Sequence, residues 1–349
     1  MTSPNIIRVA VVGVGSFGRN HARVYHQLQQ EWQSRDTRVE LAAVVDADLE
    51  RAKSVAAEFG AQAFDSVKSM LSAMKVNAAS VAVPTVAHLA TAGPLMEAGV
   101  DVLIEKPVAP NLLEADELIR IAHRTRRIAQ VGHLERFNPG VRAAVSLVTR
   151  PMFFEVHRLS IFTPRSLDVD VVLDLMIHDL DVVLSLVNSP VKEIRAVGLP
   201  VLTRKVDIAN VRIEFDSGCV ANFTASRVST ERVRKLRFFQ PQQYVSIDYA
   251  RKDVFALTVK PVPEDAAAKA GFTMPDIVPS KPELVEEEPL HAELVSFLTA
   301  VAGRGRPAVP LEDGRRALAV ALDILHAIAE HSRRAKIEHL SGVGPTGLV

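Results

Sequence analysis

The sequence predicts an α/β protein in two parts, a doubly wound parallel sheet followed by an α+β domain whose sheet is mostly antiparallel. Two observations support this prediction. Over the first 132 residues, short apolar runs alternate with amphipathic helical segments, which is the pattern of βαβ units. After Gly132 the pattern changes to a series of strand-like runs around one helical stretch, Val171–Val187.

The first part contains apolar runs short enough to be buried strands, separated by amphipathic segments. Because parallel strands are joined by right-handed crossovers, a doubly wound sheet is the most economical topology for this alternation. The predicted strands are Ile6–Val12, Val39–Asp46, Ala78–Val83, Val102–Ile104 and Ile128–Val131. The predicted helices are Asn20–Gln30, Leu49–Phe59 and Leu112–Arg124.

In the second part, Asp216-Ser217-Gly218 separates two strand-like runs and predicts a hairpin turn. The proline-rich stretch 261–289 is expected to form a surface excursion or linker, and two helices follow it. We therefore expect domains at 1–132 and 133–290, helices at 291–335 that pack back on them, and a tail at 336–349. The predicted strands are Ile208–Phe215, Cys219–Val228, Leu236–Phe239, Tyr244–Tyr249 and Val254–Val259, and the last predicted helices are His291–Val301 and Leu311–Ala329.

The composition excludes several classes of protein. The chain has 349 residues with 41 Lys and Arg against 41 Asp and Glu, so it lacks the positive charge typical of nucleic-acid and anionic-membrane binders. Cys219 is the one cysteine, which rules out an internal disulfide, and no group of Cys, His and acidic residues has the spacing of a metal site. No segment resembles a leader peptide or a membrane span, so we expect a soluble, cytoplasmic protein.

Gly13-Val14-Gly15-Ser16-Phe17-Gly18 is a G-x-G-x-x-G motif between a predicted strand and a predicted helix, the context in which this motif binds dinucleotides. Gly13 would permit the tight turn, and Gly15 would let the backbone approach a pyrophosphate. Gly18 would allow the helix to pack closely on the strand. The alternative is a glycine-rich turn without a ligand, which the flanking strand and helix disfavour.

Asp46 ends the second predicted strand, where an acidic side chain binds the ribose hydroxyls of NAD. A carboxylate there would repel the 2′-phosphate of NADP, so NAD is favoured, although Arg51 is close enough in sequence that use of both cofactors stays open. The spacing from Gly13 is longer than the about 20 residues typical of this motif, which fits an extended first helix and loop. The alternative role for Asp46 is a helix N-cap.

Two further groups of residues are candidates for chemistry. Glu105-Lys106-Pro107 follows a predicted strand at the carboxyl edge of the sheet, where a lysine could bind a substrate hydroxyl or move a proton. Pro107 would fix the backbone there through a cis bond. In the second part, Asp174, His178 and Asp181 share one face of a predicted helix, so that a carboxylate could orient the imidazole for proton transfer. For both groups of residues, the alternative interpretation is that the charged side chains lie on the surface and have no role in catalysis.

Taken in order, these motifs, together with Val83-Pro84-Thr85, resemble those of the Gfo/Idh/MocA oxidoreductases, and the likeness extends from residue 6 to 335. It implies a Rossmann domain that binds NAD and a second, substrate-binding domain with an open, mostly antiparallel sheet whose outer face builds a homodimer or homotetramer. In the family, the catalytic roles belong to residues that correspond to Lys106, His178 and Asp174. The cofactor-binding residues that the resemblance implies are Gly13, Gly15, Ser16, Phe17, Gly18, Asp46, Pro84, Thr85, His88, Glu105 and Lys106.

A narrower likeness is visible in residues 132–139, Gly-His-Leu-Glu-Arg-Phe-Asn-Pro, and in residues 173–179, Leu-Asp-Leu-Met-Ile-His-Asp. Both are similar to the branch of the family that oxidises the 3-hydroxyl of UDP-N-acetylglucosamine. The 3-keto product feeds a pyridoxal-phosphate aminotransferase in the biosynthesis of 3-amino sugars for lipid A or surface polysaccharide. Arg227-Val228-Ser229 and Arg234-Lys235-Leu236 add to this likeness. Met176 departs from it, because that position is usually glycine, and would add bulk near the substrate.

A nucleotide-sugar substrate needs cations for its diphosphate. Arg158 and Arg165 lie between the first strand of the second sheet and the predicted catalytic helix, and the fork of an arginine suits phosphate, although surface charge is the alternative. Two other functions stay open, dehydrogenation of a free polyol, inositol or sugar phosphate, and a non-catalytic NAD-binding regulator. The predicted substrate-binding residues are Lys106, Arg158, Arg165, Asp174 and His178.

Overall fold

The structure of the protein, a computed structural model, describes residues 5–33, 37–163, 169–260 and 276–337. The chain divides into two compact units. The first unit consists of Met1–Phe137 and Glu287–Leu318, and the second of Asn138–Glu286 and Ala319–Val349.

The first unit is built on a parallel sheet of six strands covered by helices. Its strands are β1 (Asn5–Val12), β2 (Thr37–Val45), β3 (Gln62–Phe64), β4 (Ala78–Val81), β5 (Asp101–Glu105) and β6 (Ala129–Gly132). Its helices are α1 (Ser16–Glu31), α2 (Leu49–Phe59), α3 (Val67–Ala73), α4 (His88–Glu97), α5 (Leu112–Thr125) and, after the second unit, α8 (Pro289–Gly303). The strand order β3-β2-β1-β4-β5-β6 is that of a doubly wound dinucleotide-binding sheet, as predicted.

The central strands of this sheet are buried on both faces, which explains why they are continuous apolar runs in the sequence. Val9, Ala10 and Val11 of β1 are all fully buried. Leu294 and Phe297 of α8 belong to the same buried cluster as β1, so this late helix forms part of the core of the first unit.

Three elements of the first unit were not predicted: β3, α3 and α4. The strand β3 has only three residues, too few to show a periodicity. The helix α4 contains Pro94, a residue that normally ends or kinks a helix, so its sequence argues against the structure that it adopts. The helix α1 begins at Ser16, earlier than the predicted Asn20, because the glycine motif itself opens it.

The second unit contains a sheet of eight strands. The strands are β7 (Phe153–Ile161), β8 (Val191–Leu199), β9 (Ile208–Phe215), β10 (Val220–Ser229), β11 (Val233–Gln240), β12 (Gln243–Asp248), β13 (Asp253–Lys260) and β14 (Asp276–Ser280). Their order is β14-β13-β12-β11-β7-β10-β9-β8, and all neighbours are antiparallel except β7 and β10. The prediction of a mostly antiparallel sheet is therefore confirmed.

Helices α6 (Pro139–Val145) and α7 (Ile177–Leu186) belong to the second unit, and the long helix α9 (Leu311–Ala335) begins in the first unit and ends in the second. The segment Val172–Met176, directly before α7, is a π-helical turn. Within the described ranges, no helix is long and apolar enough to cross a membrane.

Candidate active site

The glycine motif has the geometry that a dinucleotide requires. Gly13 has a φ of +84°, and a Cβ there would lie 2.7 Å from the carbonyl oxygen of Ala82. A Cβ on Gly18 would lie 1.8 Å from the carbonyl oxygen of Gly13, so only glycine permits this packing of α1 on the turn. By contrast, a Cβ built on Gly15 has no described atom within 4 Å apart from those of Gly15 and the residues next to it in the chain. Gly15 precedes the first turn of α1, so the space over it and the N–H groups of that turn fit a pyrophosphate.

Asp46 follows β2 and faces the glycine motif. Its Oδ2 accepts a hydrogen bond from the backbone N–H of Val14 at 2.9 Å, and its Oδ1 accepts one from the N–H of Asp48 at 2.9 Å. The guanidinium of Arg51 donates to both oxygens, at 3.0 and 2.7 Å. Burial alone would raise the pKa of the Asp46 carboxyl, but these four hydrogen bonds outweigh it and hold the pKa below its ordinary value.

The N-cap of α2 is Asp48, whose carboxylate accepts from the N–H of Arg51 at 3.1 Å. The alternative interpretation of Asp46 as a helix N-cap is therefore wrong. Its carboxylate accepts from the glycine motif instead, and its contact with the adenosine ribose of a dinucleotide stays a prediction.

The turns that follow β4 and β5 are joined by a buried histidine. The ring nitrogens of His88 lie 3.1 Å from the carbonyl oxygen of Val83 and 3.2 Å from that of Val108. Burial lowers the pKa of His88, and the two carbonyl oxygens, which favour the doubly protonated ring, and the charge of Glu105 oppose this only in part. The neutral ring has one N–H and so donates to one of the two carbonyls. The structure thus shows His88 as a link between two backbone turns, while its contact with the cofactor stays a prediction. Pro84 and Thr85 lie at the beginning of the 3-10 turn that connects β4 to α4.

Lys106 follows β5 directly and is partly buried, and the Lys106–Pro107 peptide bond is cis, as predicted. The preceding Glu105 turns into the first unit, where its Oε1 lies 3.1 Å from Nε2 of the fully buried His21. A Cβ on Gly132 would lie 2.5 Å from the same Glu105 oxygen, so the end of β6 must be a glycine to leave room for this carboxylate.

His21 continues this buried network toward α1 and β4. Its Nδ1 lies 3.0 Å from Oγ of Ser80, which lies 2.9 Å from the hydroxyl of Tyr25. None of these three residues can be recognised as functional from the sequence, because a histidine and a tyrosine four positions apart on an amphipathic helix look like ordinary core or surface residues. What identifies them is that they are polar groups buried where α1 packs on the sheet, because buried polar groups need hydrogen-bond partners.

In the second unit, Asp174 lies within the π-helical turn and His178 within the first turn of α7. Both side chains are half-buried and each has interactions of its own. The segment is not one regular α-helix, because Asp174 lies in the π-turn, and Asp181 is buried. The shared face of Asp174, His178 and Asp181 stays a prediction. Such π-turns occur often at functional sites. Met176, the departure from the family pattern, is buried in this unit.

Arg158 lies within β7 and not between that strand and the helix, which corrects the predicted location. Its guanidinium binds the carboxylate of Asp179 through two hydrogen bonds, at 2.5 and 2.9 Å, and both side chains are buried. It also lies over the ring of Tyr249, 5.3 Å from the centroid. The structure shows Arg158 as part of this buried ion pair, while its contact with a diphosphate stays a prediction. Arg165 lies outside the described residues.

The beginning of the π-turn is held by residues that were not predicted as site residues. Asp170 accepts a hydrogen bond from the N–H of Val206 at 2.8 Å, and Arg227 donates to the carbonyl oxygen of Val169. The same guanidinium lies 3.8 Å from the buried carboxylate of Asp207. These contacts attach the segment that carries Asp174 to the neighbouring loop and strand.

The comparisons with known proteins identify the family. Residues 7–133 match the family model described as an oxidoreductase family with an NAD-binding Rossmann fold, and residues 141–241 match the GFO/IDH/MocA C-terminal domain. The UDP-N-acetylglucosamine 3-dehydrogenase of Acidithiobacillus ferrooxidans is 36% identical over 329 residues, which cover 94% of this chain and 99% of that relative. An inositol 2-dehydrogenase of Leifsonia xyli is 30% identical over 205 residues, 56% of this chain and 57% of the relative.

A solved structure of the UDP-N-acetylglucosamine 3-dehydrogenase GnnA from Acidithiobacillus ferrooxidans has a TM-score of 0.82 at 35% identity, with 93% of this chain and 98% of that chain covered. The resemblance inferred from the motifs is therefore confirmed. The chain belongs to the Gfo/Idh/MocA family of oxidoreductases, and its N-terminal part is an NAD-binding Rossmann domain.

Proposed function

We propose that the protein is an NAD-dependent dehydrogenase that oxidises the 3-hydroxyl of a UDP-N-acetyl-hexosamine, UDP-N-acetylglucosamine, to the 3-keto sugar. The observation that carries this proposal is the 36% identity with the UDP-N-acetylglucosamine 3-dehydrogenase, which extends over 99% of that relative. The chain also has, in Lys106 and His178, the polar groups that proton transfer from a sugar hydroxyl needs.

Oxidation of a secondary alcohol removes a hydride from carbon and a proton from the hydroxyl. When bound, the nicotinamide of NAD supplies the hydride acceptor. The N–H groups at the beginning of α1 would bind the pyrophosphate over Gly15, and Asp46 would bind the adenosine ribose. These contacts would hold the cofactor in place. What the protein then has to supply is the orientation of the substrate and the transfer of its proton.

In this proposal, side chains of the protein take up the proton of the 3-hydroxyl. Lys106 would bind the hydroxyl oxygen, and its positive charge would favour the loss of the proton. His178 would accept that proton, either directly or by relay through Lys106, which would pass one of its own protons to the imidazole as it takes that of the hydroxyl. Asp174 would orient the imidazole and stabilise its charged form. Two contacts hold the segments that carry these groups. The buried Glu105, directly before Lys106, contacts His21, and Asp170, at the beginning of the π-turn, accepts a hydrogen bond from Val206.

The test is turnover with a panel of substrates. Purified protein with NAD is incubated separately with UDP-N-acetylglucosamine, inositol and a sugar phosphate, and the formation of NADH is followed by absorbance. A 3-keto-sugar aminotransferase and an amino donor are added to remove the product. We expect NADH with the UDP-sugar. Turnover with inositol and none with UDP-N-acetylglucosamine would refute the proposal. It would favour the alternative hypothesis of a polyol dehydrogenase, which the similarity to an inositol 2-dehydrogenase supports.

Variants at the proposed catalytic residues complete this test. Lys106→Ala and His178→Ala are expected to lower kcat by about 100-fold or more while NADH binding persists. Matched controls are Lys53→Ala and His326→Ala, whose side chains are 56% and 73% exposed and belong to no proposed site. If the two site variants turn over as fast as the controls, the assignment of the catalytic residues is wrong.

The proposed partners are a second copy of the chain and an aminotransferase. The outer face of the sheet in the second unit carries an aromatic row in which Phe239 lies 5.6 Å from Phe153 and 5.1 Å from Tyr244, between ring centroids. Phe239 is exposed, so this face supports assembly into a homodimer or homotetramer. Light scattering of the wild type and of Phe239→Glu tests this assembly, and a monomeric wild type would refute it.

The cytoplasmic location of the protein stays a prediction.

A further inference from the structure

The carboxylate of Asp46 has no acceptor position left for a ribose. An ionised carboxylate offers about four lone-pair positions on its two oxygens. Val14 N–H and Arg51 Nε occupy those of Oδ2, and Asp48 N–H and an Arg51 terminal nitrogen occupy those of Oδ1. A ribose diol that is to donate two hydroxyl hydrogen bonds to Asp46 must therefore displace two of these donors.

Of the four donors, only those of Arg51 can leave. The N–H of Val14 is fixed within the glycine motif, and the N–H of Asp48 is fixed at the beginning of α2. The side chain of Arg51 is 48% exposed, whereas that of Asp46 is 7% exposed. Arg51 also has a second carboxylate within reach, because its other terminal nitrogen lies 3.7 Å from Oδ2 of Asp48.

We propose that Arg51 determines cofactor specificity: it competes with the ribose hydroxyls of NAD for Asp46, and once displaced it offers a cation to the 2′-phosphate of NADP. This inference rests on the role of Asp46 in the proposed function and extends it to a second cofactor. The exchange is purely one of hydrogen bonds and charge, and no covalent bond changes.

The competition has a definite direction. Binding of NAD exchanges two charge-assisted bonds from a guanidinium for two bonds from neutral hydroxyls, which are weaker. Arg51 therefore lowers the affinity of the wild type for NAD and NADH below what Asp46 alone would permit.

The effect on NADP is the opposite. A phosphate monoester carries a charge of about −1.5 to −2, which Asp46 and Asp48 both repel. Arg51 is the cation bound to both of these carboxylates, and its planar fork suits a phosphate. Glu50 is paired with Lys53 further along α2, so its charge is offset by that lysine.

The experiment is a titration of the full chain with NADH and with NADPH, followed by cofactor fluorescence in the absence of any sugar. For Arg51→Ala we expect NADH to bind about three- to tenfold more tightly and NADPH about tenfold or more weakly than in the wild type. Lys53→Ala is the matched control, since it removes a cation two positions along the same helix that is hydrogen-bonded to Glu50.

Arg51→Lys separates charge from geometry. A lysine keeps the positive charge but cannot bind both carboxylate oxygens at once, so we expect tighter NADH binding with NADPH binding retained in part. Arg51 is exposed, so its replacement should leave the fold intact, and circular dichroism of each variant checks this.

The outcomes separate this inference from the proposed function. If Arg51→Ala leaves the ratio of the two dissociation constants within about twofold of that of Lys53→Ala, the inference is wrong while the function stands. Weaker NADH binding in Arg51→Ala also overturns it, because Arg51 would then support the ribose. If the wild type binds neither cofactor, the cofactor role of Asp46 in the proposed function fails as well.

Discussion

Nε2 of His21 lies 3.1 Å from Oε1 of Glu105, and this contact joins the helix that opens at the glycine motif to the residue before Lys106. Both side chains are buried in the first unit. A carboxylate only accepts hydrogen bonds, so the imidazole must donate to it through Nε2–H. In the neutral ring Nδ1 is then an acceptor, and Oγ of Ser80 donates to it.

Tyr25 completes a chain of donors that points in one direction. Burial raises the pKa of the Tyr25 phenol, so its hydroxyl stays protonated and donates to Oγ of Ser80. The direction of donation is thus Tyr25 to Ser80, Ser80 to His21 and His21 to Glu105. Each proton in the chain has an acceptor, which is the condition under which a buried polar network stabilises a core.

His21→Leu is expected to reduce the free energy of unfolding by about 1–3 kcal/mol, because it leaves the buried carboxylate of Glu105 without its donor. Tyr25→Phe removes only the first donor of the chain and is expected to cost about 0.5–1.5 kcal/mol. Urea unfolding followed by circular dichroism measures both. The control is His123→Leu at a side chain that is 73% exposed, and a His21→Leu protein as stable as this control would contradict the network.

Gly15→Ala is expected to fold normally and to bind NADH about tenfold or more weakly. The reason is that the new Cβ meets no described atom within 4 Å beyond its neighbours in the chain, whereas a pyrophosphate at the beginning of α1 would contact it. Fluorescence titration measures the affinity and the thermal midpoint measures stability. Gly303→Ala is the matched control, since its Cβ also meets no neighbour. Equal NADH affinity in the two variants would show that the cofactor does not approach Gly15.

The parts of the site that could be predicted are those that depend on local sequence. The glycine motif and Asp46 each follow a strand and could be placed from the alternation of elements alone. The contact of His21 with Glu105 could not, because it joins residues 84 positions apart and depends on how α1 packs on the sheet. The π-turn at Val172–Met176 also escaped prediction, since helical periodicity assumes a regular spacing that this segment lacks.

The lowered pKa of His88 predicts a loss of stability in weak acid. Because the folded state depresses this pKa below the ordinary value of 6.5, the unfolded chain binds the proton first as the pH falls. The contribution of His88 is therefore complete above about pH 6.5 and is lost as the pH falls through the lower folded pKa. We expect the thermal midpoint of His88→Gln to fall less between neutral and acidic pH than that of the wild type. Parallel curves for the two proteins would contradict this.

His291, which belongs to the same unit as His88, has a pKa that is shifted in the opposite direction. Burial alone would lower its pKa, but hydrogen bonds to Glu31 and Glu287, at 2.9 and 3.0 Å, raise it above the ordinary 6.5. Its contribution to stability is therefore complete below about pH 6.5 and is lost as the pH rises through the raised folded pKa. His291→Gln should differ from the wild type most in weak acid and least in weak base, as measured by thermal midpoints across this range. A difference that grows with pH would refute the assignment.

Arg158 and Asp179 form a buried ion pair whose two members should be strongly coupled. Asp179→Asn leaves the guanidinium buried without its counter-charge and is expected to cost about 3–5 kcal/mol of unfolding free energy. Replacement of both residues, by Arg158→Met with Asp179→Leu, should cost less than the sum of Arg158→Met and Asp179→Leu made singly, because no charge then stays buried.

The measurement is a double-mutant cycle by urea unfolding, with an expected coupling energy of about 1–3 kcal/mol. The matched control is the exposed pair Arg195 and Glu193, whose side chains are 75% and 46% exposed and for which loss of either charge should cost at most about 1 kcal/mol. Asp179 follows His178 directly, so a loosened pair would also displace the proposed base. If Asp179→Asn costs no more than Glu193→Gln, the pair does not hold α7 against β7, and the position of His178 must depend on other contacts.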